Sequence, residues 1–156
     1  MSAKLLDGKG ISKEIQKETK VKVEQFIADH AKAPVLAAVL VGDDPASQVY
    51  VRNNERACAR AGIESQLLRL PDTSTTEEIL AKVVELNENH QVNGILVQLP
   101  LPEQADSRVI LDAIDPLKDV DAFHPHNVGL ISQGRPQFLP CTPHGIVQML
   151  KRCGIE

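Results

Sequence analysis

Aromatic side chains are almost missing from this chain. Phe, Trp and Tyr make up 3% of its 156 residues, with no tryptophan and a single tyrosine, Tyr50. A core without rings is built from Val, Leu, Ile and Ala, and a hydrophobic share of 42% supports one. At this size a chain buries roughly 68–70% of its unfolded surface, so one domain is the natural count. A surplus of positive charge is also lacking. The 17 Lys and Arg are outnumbered by 21 Asp and Glu, for a formal net charge of -4, which leaves no basic footprint for nucleic acid. No apolar run approaches the ~18 residues of a membrane span. Met1 to Gly10 has no signal-peptide pattern. The expectation is a soluble, cytoplasmic protein with neither membrane nor nucleic acid as a partner. Cysteine is scarce: Cys58, Cys141 and Cys153 are odd in number and far apart, which predicts free thiols in a reducing compartment. No CxxC pair argues for zinc. No GxGxxG occurs, and Gly8-Lys-Gly10 follows no core strand, so a dinucleotide fingerprint is lacking, as is a P-loop.

What is present alternates between strand and helix. Ala3 to Asp7 reads as a short strand or edge segment. Gly10 to Ala31 reads as a long helix with Ile11, Ile15, Val23, Phe26 and Ile27 near one stripe, ended by Pro34. Val35 to Val41 is the first core strand. Asp44 and Pro45 start a helix as N-cap and first residue; it runs to about Ala61 and stops at Gly62. Ile63 to Leu70 is a second strand. The stretch from Asp72 caps a helix reaching about Asn89. Asn93 to Leu99 is the third core strand, followed by a short helix over Ser107 to Ala113. From Asp115 the pattern loosens, until a last helix over Thr142 to Cys153, with Thr142 as cap, Pro143 at its first turn and Gly154 at its end. The fold class is α/β: an open parallel sheet with flanking helices.

Three places carry chemistry. Tyr50 and Asn54 stand four residues apart in the second helix, hence on one face, just past the end of a strand. Tyr50 can stack and hydrogen-bond; Asn54 can hydrogen-bond but cannot transfer a proton near neutral pH. Gln98 closes the third strand at the carboxyl end of the sheet, where open α/β folds bind ligands; the plainer reading is a polar strand terminus tied to a loop. Asp119, Asp121, His124 and His126 crowd one short segment. That density invites a metal reading, against which stand the absence of a closed zinc spacing, the restriction from Pro125, and the commoner role of such residues in turns. Asp121 alone suits the amino and ring N–H groups of a pterin or purine. Cys141, before the last helix, is read either as a nucleophile with His144 or His124 as base, or as a small buried residue at a tight turn.

These segments resemble the bifunctional methylenetetrahydrofolate dehydrogenase/methenyltetrahydrofolate cyclohydrolase family. The shared motifs are Leu6-Asp-Gly-Lys9, Val41-Gly-Asp-Asp-Pro-Ala-Ser-Gln-Val-Tyr-Val51, Gly94-Ile-Leu-Val-Gln-Leu-Pro-Leu-Pro102, Lys118-Asp-Val-Asp-Ala-Phe-His124, Asn127-Val-Gly129 and Pro140-Cys-Thr-Pro-His-Gly145. They occur in order and span essentially the whole chain. The resemblance implies a tetrahydrofolate-binding catalytic domain over residues 1–140, with 141–156 starting a linker helix. It implies that Tyr50 packs on the folate, that Gln98 contacts substrate and the catalytic position, that Asp121 anchors the pterin, and that Pro100 touches substrate. Family members are about twice this length; their second half is a Rossmann domain binding NADP, and the chain is expected to lack it. The family is homodimeric. No metal is implied.

One position departs from the family pattern. Where the family has a proton-transferring lysine, this chain has Asn54. A pocket can pull a lysine's pKa toward neutrality; an amide has no titration to pull. Dehydrogenase-only relatives also lack this lysine. The expected function is therefore interconversion of methylene-, methenyl- and 10-formyl-tetrahydrofolate, impaired in this chain. The competing readings are a catalytically silent folate-binding or assembly module and, more remotely, a metal-dependent hydrolase.

Overall fold

The computed structural model describes residues 5–155. Local punctuation explains most of the element boundaries. Helix α1 (Gly8–His30) starts where the Asp7 side chain accepts the Gly10 N–H, and Ala31, at φ +56°, turns the chain out of it. Helix α2 (Pro45–Ala61) follows strand β1 (Val35–Val41). The Asp44 carboxylate accepts the Ser47 N–H at 2.7 Å, and Pro45 needs no partner for an N–H it lacks. Gly62, at φ +83°, closes α2 in the left-handed region that glycine enters without strain. Strand β2 (Glu64–Leu70) leads to helix α3 (Thr76–Glu88), whose start is a capping box: Glu78 N–H donates to the Thr75 hydroxyl, and Thr75 N–H donates to the Glu78 carboxylate. Strand β3 (Gly94–Val97), helix α4 (Ser107–Asp112), helix α5 (Pro125–Ser132) and helix α6 (Cys141–Arg152) complete the chain.

The strands are parallel in the order β2-β1-β3. The chain leaves β1 to one side and returns to its other side, so the order reverses between β1 and β3. That is the switch point where open α/β sheets form a crevice beyond the carboxyl ends of their strands. Alternation of side chains gives the sheet two different faces. Ala37, Val39, Val41, Ile95 and Val97 meet Ile79, Val83 and Leu86 of α3, Ile110 of α4 and Ile114 just beyond it in one aliphatic core. Each fully buried Ile or Val there contributes about 1.5–3 kcal/mol. Leu36, Ala38, Leu40 and Leu96 turn to the other face, toward α2. Central β1 and β3 are buried almost throughout, whereas edge strand β2 alternates between exposed and partly buried residues.

Five expectations need correction. Residues 3 and 4 of the expected first strand lie outside the described residues, and Leu5 to Asp7 form no strand; Asp7 is a helix cap. β3 stops at Val97, although the Gln98 N–H still donates to the Val39 carbonyl at 2.9 Å. The loose region contains α5, capped by His124 with Pro125 in its first turn. Helix α6 begins at Cys141, not after Thr142; Pro140 is its N-cap, and no side chain caps it. Pro143 fits inside that first turn because its missing N–H would have had no partner there. Of the α1 stripe only Val23 is buried. Among the described residues no helix is long and apolar enough to cross a membrane.

Candidate functional site

Two cavities meet at the carboxyl end of the sheet. The smaller, about 220 Å³, is lined by Tyr50, Gln98, Leu99, Asp121, Phe123 and Cys141 among others. The larger, about 430 Å³, shares Tyr50, Asp121 and Cys141 and adds Asn54. The structure thus brings Tyr50, Asn54, Gln98 and Asp121 around one opening, although they come from α2, the end of β3 and the following loop. Pro100 is exposed and lines neither cavity; it follows a cis peptide bond from Leu99.

Tyr50 is 47% exposed, so its ring presents a face to the opening. Gln98 donates its Nε2–H to the Leu99 carbonyl at 2.6 Å, which holds the carboxamide at the strand end. Gln98 is tied to its loop and lines the cleft.

Asp121 reaches the cleft because the segment before it is pinned on both sides. The Ile95 N–H donates to the Lys118 carbonyl at 2.7 Å, and Ile95 and Asp119 form a parallel bridge, so this segment runs as a rudimentary fourth strand beside β3. Gly94 makes the approach possible: a Cβ there would meet Val120 Cγ1 at 2.5 Å. On the far side, the Lys118 ammonium donates to the carbonyls of Leu86, Asn87 and Asn89 at 3.0, 2.7 and 2.9 Å, using acceptors that the end of α3 leaves open. Asp119 is 1% exposed, and its Oδ2 accepts the His124 N–H and the Asn127 Nδ2–H, each at 2.9 Å. Asn127 also donates to the Pro116 carbonyl at 2.9 Å. Asp119 and His124 are therefore occupied in closing this loop; the His124 Nδ1 accepts the His126 N–H at 3.0 Å. Among the described residues no three His, Cys, Asp or Glu groups converge in a way that could hold a metal ion.

Burial pushes the Asp121 carboxyl above the ordinary aspartate range, and the Asp119 carboxylate two residues away adds to the rise; the Cys141 thiol, hydrogen-bonding to it, opposes them. The same contact, after burial, raises the Cys141 thiol. A raised thiol is a poor nucleophile. His144 pairs instead with Gln148, at 3.3 Å. Cys141 is also exposed as a residue, so the buried-turn reading fails as well. Its place is the first turn of α6, at the mouth of both cavities.

Sequence reasoning missed Leu99, Phe123 and Thr142 in the cleft lining and the supporting role of Asn127. A hydrogen bond formed across a loop leaves no local pattern to read. The crowding of Asp119, Asp121 and His124 was the available signal. It reflects a loop closing on itself.

Residues 6–121 match the family profile described as the catalytic domain of tetrahydrofolate dehydrogenase/cyclohydrolase. The bifunctional protein FolD of Rhodopirellula baltica is 63% identical over 162 residues, covering 100% of this chain and 54% of that protein. The crystal structure of the bifunctional enzyme FolD, a methylenetetrahydrofolate dehydrogenase/cyclohydrolase, from Campylobacter jejuni superimposes with a TM-score of 0.94 at 45% identity, over 99% of this chain and 55% of that one. That of the Trypanosoma brucei enzyme, complexed with NADP cofactor and inhibitor, has a TM-score of 0.94 at 34% identity, over 100% and 54%. The chain spans about half the length of the curated relatives it matches.

Proposed function

Because this chain belongs to the tetrahydrofolate dehydrogenase/cyclohydrolase family, within whose catalytic domain it falls, we propose that its cleft binds the pterin end of a reduced folate. The observation that carries this is the convergence of Tyr50, Gln98 and Asp121 on one opening at the switch point of the sheet. Asp121 would accept the amino and ring N–H groups of the pterin, a paired geometry suited to a carboxylate. Tyr50 would lie against a ring, and Gln98 would hold a polar group near the reacting carbon. Residues 1–140 act as the folate domain, and α6 from Cys141 onward leads toward whatever completes the site.

The described residues do not fit a dinucleotide. A pyrophosphate needs open N–H groups at the start of a helix that follows a strand. Here the start of α2 is held by the Asp44 carboxylate, that of α3 by Glu78 and that of α4 by Asp106. Each places an anion where a phosphate would sit. Any NADP-dependent step therefore draws its cofactor site from outside these elements, and no hydride-transfer step follows from this chain's own side chains.

Water addition to a methenyl-tetrahydrofolate requires a proton to be moved. Asn54, one helical turn beyond Tyr50, lines the adjoining cavity but cannot titrate. This favours a second reading in which the domain binds folate with little turnover of its own. Titration calorimetry with tetrahydrofolate tests binding: Asp121→Ala should weaken it more than Tyr50→Phe, since the first removes charge-assisted hydrogen bonds that contribute roughly 1.5–3 kcal/mol and the second keeps the ring contact. No binding by the parent chain would end the reading. If Asn54→Lys is folded and binds folate, hydrolysis of the methenyl form should rise by about 10²–10⁴-fold with a pH dependence the parent lacks. Equal rates across pH 6 to 9 would remove the proton-transfer role from this position.

A further inference from the structure

We propose that Arg152 is a positioning residue, whose grip on Glu18 sets the tilt of α6 and, through it, the width of the opening at the helix's other end. This rests on the reading of that opening as the folate site. One wall of the opening is the first turn of α6. Cys141, Thr142 and Pro143 line the smaller cavity, and Cys141 lines the larger as well. Packing does not fix where that wall stands. No residue of α6 is buried. Between α6 and α1 a gap of about 390 Å³ opens among Ile11, Ile15, Gly145, Ile146 and Met149. No side chain caps the first turn, and the Cys141 thiol is a weak donor, to Asp121 and to the Val120 carbonyl at 3.8 Å.

The last turn is held differently. The Arg152 guanidinium donates to both Glu18 oxygens, from Nη1 to Oε1 at 2.8 Å and from Nη2 to Oε2 at 2.7 Å. Glu14, one turn earlier in α1, stands 3.8 Å from the same guanidinium. An ordinary exposed ion pair does little. A two-pronged arginine on one carboxylate, with a second carboxylate beside it, fixes direction as well as distance. The Arg152 side chain is only 28% exposed, which spares it part of the screening by water. The helix therefore has a firm far end and a loosely held near end. It is 12 residues long. At 1.5 Å per residue that makes roughly 18 Å, so a tilt of about 10° at Arg152 moves the first turn by about 3 Å. A shift of that size is enough to take Cys141 out of contact with Asp121.

The test takes two readings on the full 156-residue chain. One is tetrahydrofolate affinity by calorimetry. The other is the rate at which iodoacetamide alkylates Cys141, followed by peptide mass. Burial and the Asp121 carboxylate hold the Cys141 thiol up, so a helix end that swings away should react faster. Arg152→Met and Glu18→Gln, one on each helix, should each weaken folate binding and quicken Cys141 alkylation by about three- to fivefold, the reach of a well-formed exposed ion pair. Arg152→Lys, which keeps the charge and loses the second prong, should recover part of both. The urea midpoint should stay near the parent's, because α6 buries nothing. If affinity and alkylation change only in proportion to a lower midpoint, the pair is a stabilising bridge and the inference fails. It fails equally if both variants are folded and bind folate and react as the parent does. If the parent chain binds no folate, the reading of the opening fails by itself. Cys141 alkylation then decides the matter alone: a rise in both variants upholds the role of Arg152, and an unchanged rate removes it.

Discussion

The two faces of the sheet are built from the same aliphatic residues, but only one of them is closed along its whole length. Toward α3 and α4, Val39, Ile79, Val83 and Ile110 are fully enclosed. Toward α2, Leu36 and Val120 remain partly open around a groove that ends at Tyr50 and Asp121. Buried core thus lies on both sides of the sheet, with Leu40 on the α2 side at 1% exposed, while the open groove lies on one. The difference teaches where this sheet leaves room for a site: along α2 and Val120, not against α3.

The largest effect should come from breaking the closed face. Ile79→Ala should cost about 2–5 kcal/mol in urea unfolding, because the residue is fully buried and its surroundings cannot collapse. Leu36→Ala on the groove face should cost less than half as much. Equal losses would mean that the two faces share the load.

Next comes the tie that holds the site segment to the closed side. Lys118→Met removes the donor from three carbonyls, two in α3 and one at its C-cap Asn89, and unfolding should become easier by about 1.5–3 kcal/mol. Folate affinity should fall with it, since Asp121 loses its anchorage. A stability loss without an affinity loss would show that the bridge to Ile95 suffices.

The smallest effect sharpens the comparison by reversing its sign. Asp121 has a raised carboxyl in the folded chain. Such a group contributes stability in full below the ordinary aspartate pKa and loses that contribution as pH rises through its folded value. Asp121→Asn should therefore stabilise the chain at neutral pH, with the gain vanishing in acid. Thermal melts at both pH values measure this. Folate binding should weaken as pH falls through the raised carboxyl value in the parent, and Asp121→Asn should bind weakly without that dependence.

How much could be read beforehand follows the range of the interactions. The bounds of α2 were legible to the residue because Asp44, Pro45 and Gly62 act within one turn. The parallel sheet was legible because each strand alternates with a helix. Helix α5 was not, because His124, Pro125 and Asn127 look like loop chemistry until Asp119 is seen to bind the last of them. The start of α6 was misplaced because Thr142 is a good cap by type, yet the chain turns helical one residue earlier. Tyr50, Gln98 and Asp121 were legible as residues. Their meeting in one cleft was expected from strand-end logic and the family motifs. The groove was not, since it lies between elements and belongs to none.

Gly94 gives the site a point of failure that has nothing to do with gripping a ligand. The glycine lines the larger cavity, and its missing side chain is the space through which Val120 passes. An alanine there would wedge the segment off β3 and carry Asp121 with it. One ordinary substitution in a buried strand would then disable the site while Tyr50, Gln98 and Asp121 all kept their identities.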